Sequence, residues 1–282
     1  MSAGYVVCDV RRRRLIILLS ALGILLVGAG PLMAYGPLVP WSPIHPGYSE
    51  LQLERARVLY PSERALPDAY RHIDQWIAEG EAFHSLHGGT RITIVLCRDW
   101  SDFHRFAPWI TGRNVAGLSL ATGDAIYITP KIDERQLDHG EFVRHELSHS
   151  ILAQHASVYS AYTATKRYPW FHEGLAVWFG RQRAYMSQAE FFERAPMLGV
   201  SDALRGGHHG LEMRFSYIAW RDFLDYLDQT YGHDRLVAFV HKANEQPDEM
   251  FTLFRSAFLV SWDEAVNQFE AAVLMHSFTP RP

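Results

Sequence analysis

The sequence predicts an α+β fold, with a small sheet early in the chain and a largely helical second part. Three observations lead there. "TRITIVLC" at 90–97 alternates and is rich in β-branched residues, the pattern of a strand. "NVAGLSLATGDAIYITP" at 114–130 reads as two short strands around a "TGD" turn at 122–124. Helical spacing then dominates, at 136–155, 169–183, 188–194, 212–231, 233–244, 247–257 and 261–276. Strands grouped ahead of helices argue against a parallel α/β fold.

Taken in chain order, the N-terminus has the form of a membrane address. Four arginines at 11–14 precede an uncharged apolar run at 15–35. That run is long enough to cross a hydrocarbon core of about 30 Å as a helix. The arginines would stay cytoplasmic, and everything after Tyr35 would lie outside the cytoplasm. The alternative is a cleaved signal peptide and a secreted domain, although "GAG" at 28–30 and "LMA" at 32–34 are poor cleavage sites. Segment 1–14 is therefore read as a cytoplasmic basic stretch, 15–35 as one transmembrane signal-anchor helix, and 36–49 as a proline-rich linker. Its prolines fall at 37, 40, 43 and 46, every third residue. Polyproline II has three residues per turn, so these residues form either a stiff spacer holding the domain off the bilayer or an ordinary linker.

Residues 50–282 form the folded domain. Its first part, 50–86, carries apolar residues at helical spacing broken at Pro61 and Pro67, and is expected to be helical. Hydrophobic residues make up 48% of the chain, enough for a true core. The net charge of -4 is spread without basic blocks, which excludes a nucleic-acid footprint. With two cysteines, Cys8 and Cys97, placed on opposite sides of the expected membrane, a disulfide framework and a cysteine zinc cluster are excluded.

The chemistry concentrates in "RHELSHSIL", 144–152. His145 and His149 are four apart, so on a helix both rings leave one face, one turn apart. That geometry suits two ligands of one Zn²⁺ ion. Glu146 lies about 100° round the helix, placed to act on a water as general base in the H-E-x-x-H pattern. A catalytic zinc takes three protein ligands, and Glu173 in "YPWFHEGLAVWFG" is the best third one. Pro169 marks the start of a helix that is apolar on nearly every side, and a buried carboxylate there needs a partner. His172, adjacent to Glu173, should point about 100° away from it. His155 and the pair His208–His209 are weaker candidates.

"HELSH" followed by "WFHEGLAVWF" resembles the gluzincin zinc metallopeptidases, specifically the peptidase MA-like group, over roughly 90–245. Trp170, Glu173, Gly174 and Ala176 match its W-x-x-E-G-x-A signature. The resemblance implies a zincin-like α+β fold and one Zn²⁺ held by His145, His149 and Glu173. It implies hydrolysis of a peptide or protein substrate, with Glu146 as general base. Tyr217, opening the helix in "SYIAWRDFLDYLDQTYG", is the candidate oxyanion donor or else a core tyrosine. The strand 125–129, "AIYIT", is either a sheet edge that accepts an extended peptide or an interior strand. Two departures stand out. The spacer from His149 to Glu173 is long, with 157–168 expected as a polar loop. Val177 occupies the place where such enzymes often carry an acid that orients a histidine, so Glu141 or a backbone carbonyl is expected to do so. A degenerate domain that binds zinc and a partner without catalysis is the alternative, and the sequence does not indicate an oligomeric state.

Overall fold

A computed structural model describes residues 20, 30–182, 186–206 and 213–281. Cys8, the four arginines at 11–14, most of the expected span 15–35, and His208–His209 lie outside the described residues. Among the described residues no helix is long and apolar enough to cross a membrane.

The sheet has five strands: β1 (Tyr48–Gln52), β2 (Ala56–Pro61), β3 (Ile92–Leu96), β4 (Gly117–Ser119) and β5 (Ala125–Ile128), in the order β1-β2-β3-β5-β4. β2, β3 and β5 run parallel, and an antiparallel strand closes each edge. Helix α1 (Ile73–His84) crosses from β2 to β3, and α2 (Trp100–Phe106) follows β3. A single turn, α3 (Lys131–Glu134), leads into α4 (His139–Gln154), which carries the H-E-x-x-H motif. The helical part comprises α5 (Val158–Arg167), α6 (Pro169–Gly180), α7 (Gln188–Leu198), α8 (Val200–Gly206), α9 (Met213–Tyr231), α10 (His233–Glu245), α11 (Met250–Phe258) and α12 (Trp262–Leu274).

Two expectations are corrected, and one open choice is decided. Residues 48–61 are a β-hairpin, not a helix. Leu51, Val58 and Leu59 satisfy helical spacing, but burial follows pairing. Val58 faces the core under α1 and α4, while Leu59 faces the core under α2. A strand buried on both faces has no alternation to betray it. The loop closing the hairpin is fixed by Asp74, whose carboxylate accepts from the backbone N–H groups of Glu54 and Arg55. Second, the expected loop 157–168 is taken up by helix α5, Val158–Arg167, capped by the Ser157 side chain accepting from Ser160 N–H. Its buried residues, Ser160, Ala161, Thr163 and Ala164, are small or polar, so the strip reads as hydrophilic. Of the two readings of "AIYIT", the structure takes the interior strand, and β4 is the edge beside α4.

The sheet is covered on both faces. Ile92, Ile94, Ile126 and Ile128 pack with Trp76 and Ile77 of α1 and with Phe142, Val143 and Leu147 of α4. Leu59, Val95 and Tyr127 pack with Phe103 and Phe106 of α2 and with Val39. A third core, built on Trp170, Phe171, Trp220 and Phe223, joins α6 to α9 and the later helices. Gly174 is the point of closest approach there. A Cβ would sit 2.8 Å from Leu224 Cδ1 and 3.0 Å from the Trp220 carbonyl oxygen. Gly174→Ala is therefore expected to lower stability by about 1–3 kcal/mol in urea unfolding, since the Trp220 backbone cannot yield as a side chain does.

Candidate metal centre

α4 is held so that its polar residues turn inward. Its N-terminus is capped by Asp138, whose side chain accepts from Glu141 N–H. Two serines of the motif fasten its flanks. Ser148 Oγ meets His84 Nε2 of α1 at 2.9 Å, and Ser150 Oγ meets Ser119 Oγ of β4 at 2.8 Å. Leu147 and Ile151 supply the apolar contacts between them.

On this frame His145 and His149 face Glu173 of α6. Their Nε2 atoms are 3.2 Å apart. Glu173 Oε2 is 3.3 Å from His145 Nε2, and Oε1 is 3.6 Å from His149 Nε2. Among the described residues these three form the one group of His, Cys, Asp or Glu side chains with convergent donor atoms. A tetrahedral zinc with bonds of about 2.0–2.1 Å sets its ligands about 3.3–3.4 Å apart. The observed spacing fits. Two buried ring nitrogens facing one another also cannot both be acceptors unless a proton or a cation lies between them. The donor set, two imidazoles and a carboxylate, is that of zinc.

The protonation pattern matches. Burial drives His149 down to about 3, only partly offset by the charge of Glu173. Burial also lowers His145, but the hydrogen bond and charge of Glu173 outweigh it, and the net shift is upward. His149 is thus held in the neutral form that metal binding needs, and Glu173 favours the charged form of His145, a place that a divalent cation would take.

Each ring has a further neighbour. His145 Nδ1 meets Gln182 Oε1 at 2.9 Å. The orienting group is thus a buried amide, in place of the expected Glu141 or backbone carbonyl. Gln182 arrives there because Arg181 takes a left-handed conformation at the end of α6 and turns the chain back. No motif announces it, because that turn carries an arginine where glycine is usual. His149 is flanked by His172, the two rings parallel at 5.8 Å between centroids. His172, as expected, is not part of the ligand group. Nor is His155, half-buried at the end of α4.

Glu146 lies against β4. A Cβ on Gly117 would stand 2.5 Å from its Oε1, so only glycine leaves room for the carboxylate there. Burial lifts the Glu146 pKa to about 7; His145 and the Ser119 backbone oppose the rise, and Glu173 adds to it. Tyr217 sits in the first part of α9, half-buried, with its ring edge-on to Trp220 at 5.3 Å. The converging group itself comes from α4 and α6 alone.

No family model matches the chain, and no curated protein matches it. Solved structures do. An M1 zinc metallopeptidase from Deinococcus radiodurans is similar at 15% identity with a TM-score of 0.42, over 83% of this chain and 52% of that one. A two-domain M1 zinc metallopeptidase bound to L-tryptophan is similar at 16% identity with a TM-score of 0.45, over the same shares. The chain spans about half the length of these structures.

Two predictions follow from the geometry. Gln182→Leu is expected to weaken zinc binding by about 10–100-fold in chelator competition, because His145 loses its orienting acceptor. The second concerns the chelated protein. A Glu146 pKa of about 7 in the fold lies above its ordinary value of 4.5. The fold therefore keeps a proton that the unfolded chain releases, and this group costs stability as pH rises from about 4.5 to 7. Glu146→Gln removes that cost. It is expected to stabilise the chelated chain by up to about 3 kcal/mol at pH 8, and little at pH 4.

Proposed function

We propose that this chain is a zinc-dependent metallopeptidase, held at a membrane by its N-terminal apolar segment with the catalytic domain outside the cytoplasm. The observation that carries the peptidase reading is the spacing of His145, His149 and Glu173 at 3.2, 3.3 and 3.6 Å, with a buried carboxylate, Glu146, on the helix of the two histidines.

His145, His149 and Glu173 would hold the ion, which when bound supplies Lewis acidity toward a water and a scissile carbonyl. Glu146 takes a proton from that water and later delivers it to the leaving amine. Its elevated proton affinity suits both halves of this task, as a group near neutrality accepts and releases at similar cost. The outer edge of the sheet, β4, is the strand to which an extended peptide would add. A peptide lying there would run past Glu146, which packs on Gly117 of that strand. Tyr217 is assigned the donor to the developing oxyanion, on the strength of its place at the start of α9.

Glu146→Gln tests the base. The variant is expected to retain stoichiometric zinc while cleavage of a peptide library falls by about 10²–10⁴-fold. Equal cleavage by both proteins would remove Glu146 from the role. Zinc bound by both, with cleavage by neither, would leave a binding domain.

A further inference from the structure

The stretch between the apolar run and the sheet has a three-residue period in burial. Gly36, Val39 and Ser42 face inward, while Tyr35, Leu38, Trp41 and Ile44 stand exposed. Residues 30–35 are helical. That helix ends where Gly36 N–H and Leu38 N–H both return to the Leu32 carbonyl. Val39–Trp41 then form a 3₁₀ turn, in which residues three apart align on one edge. The segment is fastened to the domain at several points. Val39 is buried against Leu59 and Phe103, Arg57 donates to the Pro40 carbonyl, and Trp41 Nε1 donates to Asp124 at 2.8 Å. The Arg105 guanidinium of α2 lies over the Tyr35 ring at 6.0 Å.

Of the two readings of 36–49, a spacer that holds the domain off the bilayer does not fit these contacts. From the helix end at Tyr35 to buried Val39 is four residues, at most about 14 Å of chain. A domain on so short a lead has little freedom to tilt away from the helix that precedes it.

We infer that the exposed row Leu38, Trp41 and Ile44, together with the exposed ring of Trp109, rests in the interfacial layer of the bilayer that the apolar run 15–35 enters, fixing the orientation of the folded domain. This rests on the anchored reading above and not on the peptidase one. The occupant is named by continuity. The exposed row Tyr35–Leu38–Trp41–Ile44 extends the apolar run without a charged residue between them. Ile44 is 62% exposed and Trp109, just past α2, is 54% exposed. Exposed tryptophan beside the end of an apolar helix has the amphipathic character of headgroup-level anchors. Trp41 shows the division within one side chain, its ring face exposed and its N–H held by Asp124. Asp124 belongs to the β4–β5 turn, so the same contact ties the candidate substrate edge to the membrane-facing segment.

The test uses the full chain in lipid vesicles, with Cys8→Ser so that buried Cys97 is the remaining cysteine. Spin labels are placed singly through Ile44→Cys, Trp109→Cys and, as a distant control, Leu259→Cys, which is 73% exposed on the helical part. Collisions with oxygen and with a water-soluble nickel chelate are then compared. The expected result is an oxygen-to-nickel ratio several-fold higher at 44 and 109 than at 259. Vesicle-bound protein that resists carbonate, with all three labels equally open to nickel, overturns the docking and leaves the anchor standing. Labels at 44 and 109 shielded from both reagents overturn it in favour of a protein partner or a second copy. Release by carbonate overturns the anchor and the docking together, whatever the zinc content.

Discussion

The carboxylate of Glu173, held against two imidazoles inside the protein, is the constraint from which the rest of the domain follows. A half-buried charge of this kind, facing two rings, is best accommodated when its partners are placed to within a few tenths of an ångström. Two helices must therefore be rigid relative to one another. α4 gains that rigidity from Ser148 and Ser150, which tie it to α1 and β4, and from the apolar residues it presents to the sheet. α6 gains it from the close approach of Gly174 to α9 and from the aromatic core around Trp170. The helical part of the chain thus acts as a buttress for one residue.

Two carboxylates share the site and are set apart by their surroundings. Glu173 faces His145 and His149, and the charge it carries there lifts His145. Glu146 faces a glycine of the edge strand, and burial pushes it toward the protonated form. Divergent environments suit the two carboxylates to the divergent roles proposed for them, ligand for Glu173 and proton carrier for Glu146. The orienting group on His145 is the neutral amide of Gln182. It fixes the ring tautomer as a carboxylate would, but adds no charge to the centre. Val177, standing where an acid is common in the resembled enzymes, is fully buried in the apolar body of α6.

The N-terminal segment shows how one periodicity carries two readings. Prolines at every third position fit a rod projecting from a membrane. In the fold the same three-residue repeat lays Val39 and Ser42 against the domain and leaves Leu38, Trp41 and Ile44 outside. Hydrogen bonds from Arg57 and Trp41 decide between the two, and both come from contacts remote in sequence.

The sequence by itself determined the elements whose signal is local. The "TGD" turn and its flanking strands, the capped helix of the histidines, and the long helices after residue 188 all form where spacing and turn residues place them. So did the identities of His145, His149 and Glu173 as one group, because a four-residue helical spacing fixes two rings on a face and a buried carboxylate demands a partner. Only the tertiary structure decided the hairpin at 48–61, the helix at 158–167, the choice of β4 as the edge, and the meeting of Gln182 with His145. Each of these turns on long-range partners: a parallel neighbour for β2, a packed small-residue face for α5, the sheet order, and a chain reversal at Arg181. Local propensity leaves such choices nearly balanced, and the free energy of burial and pairing across the fold settles them.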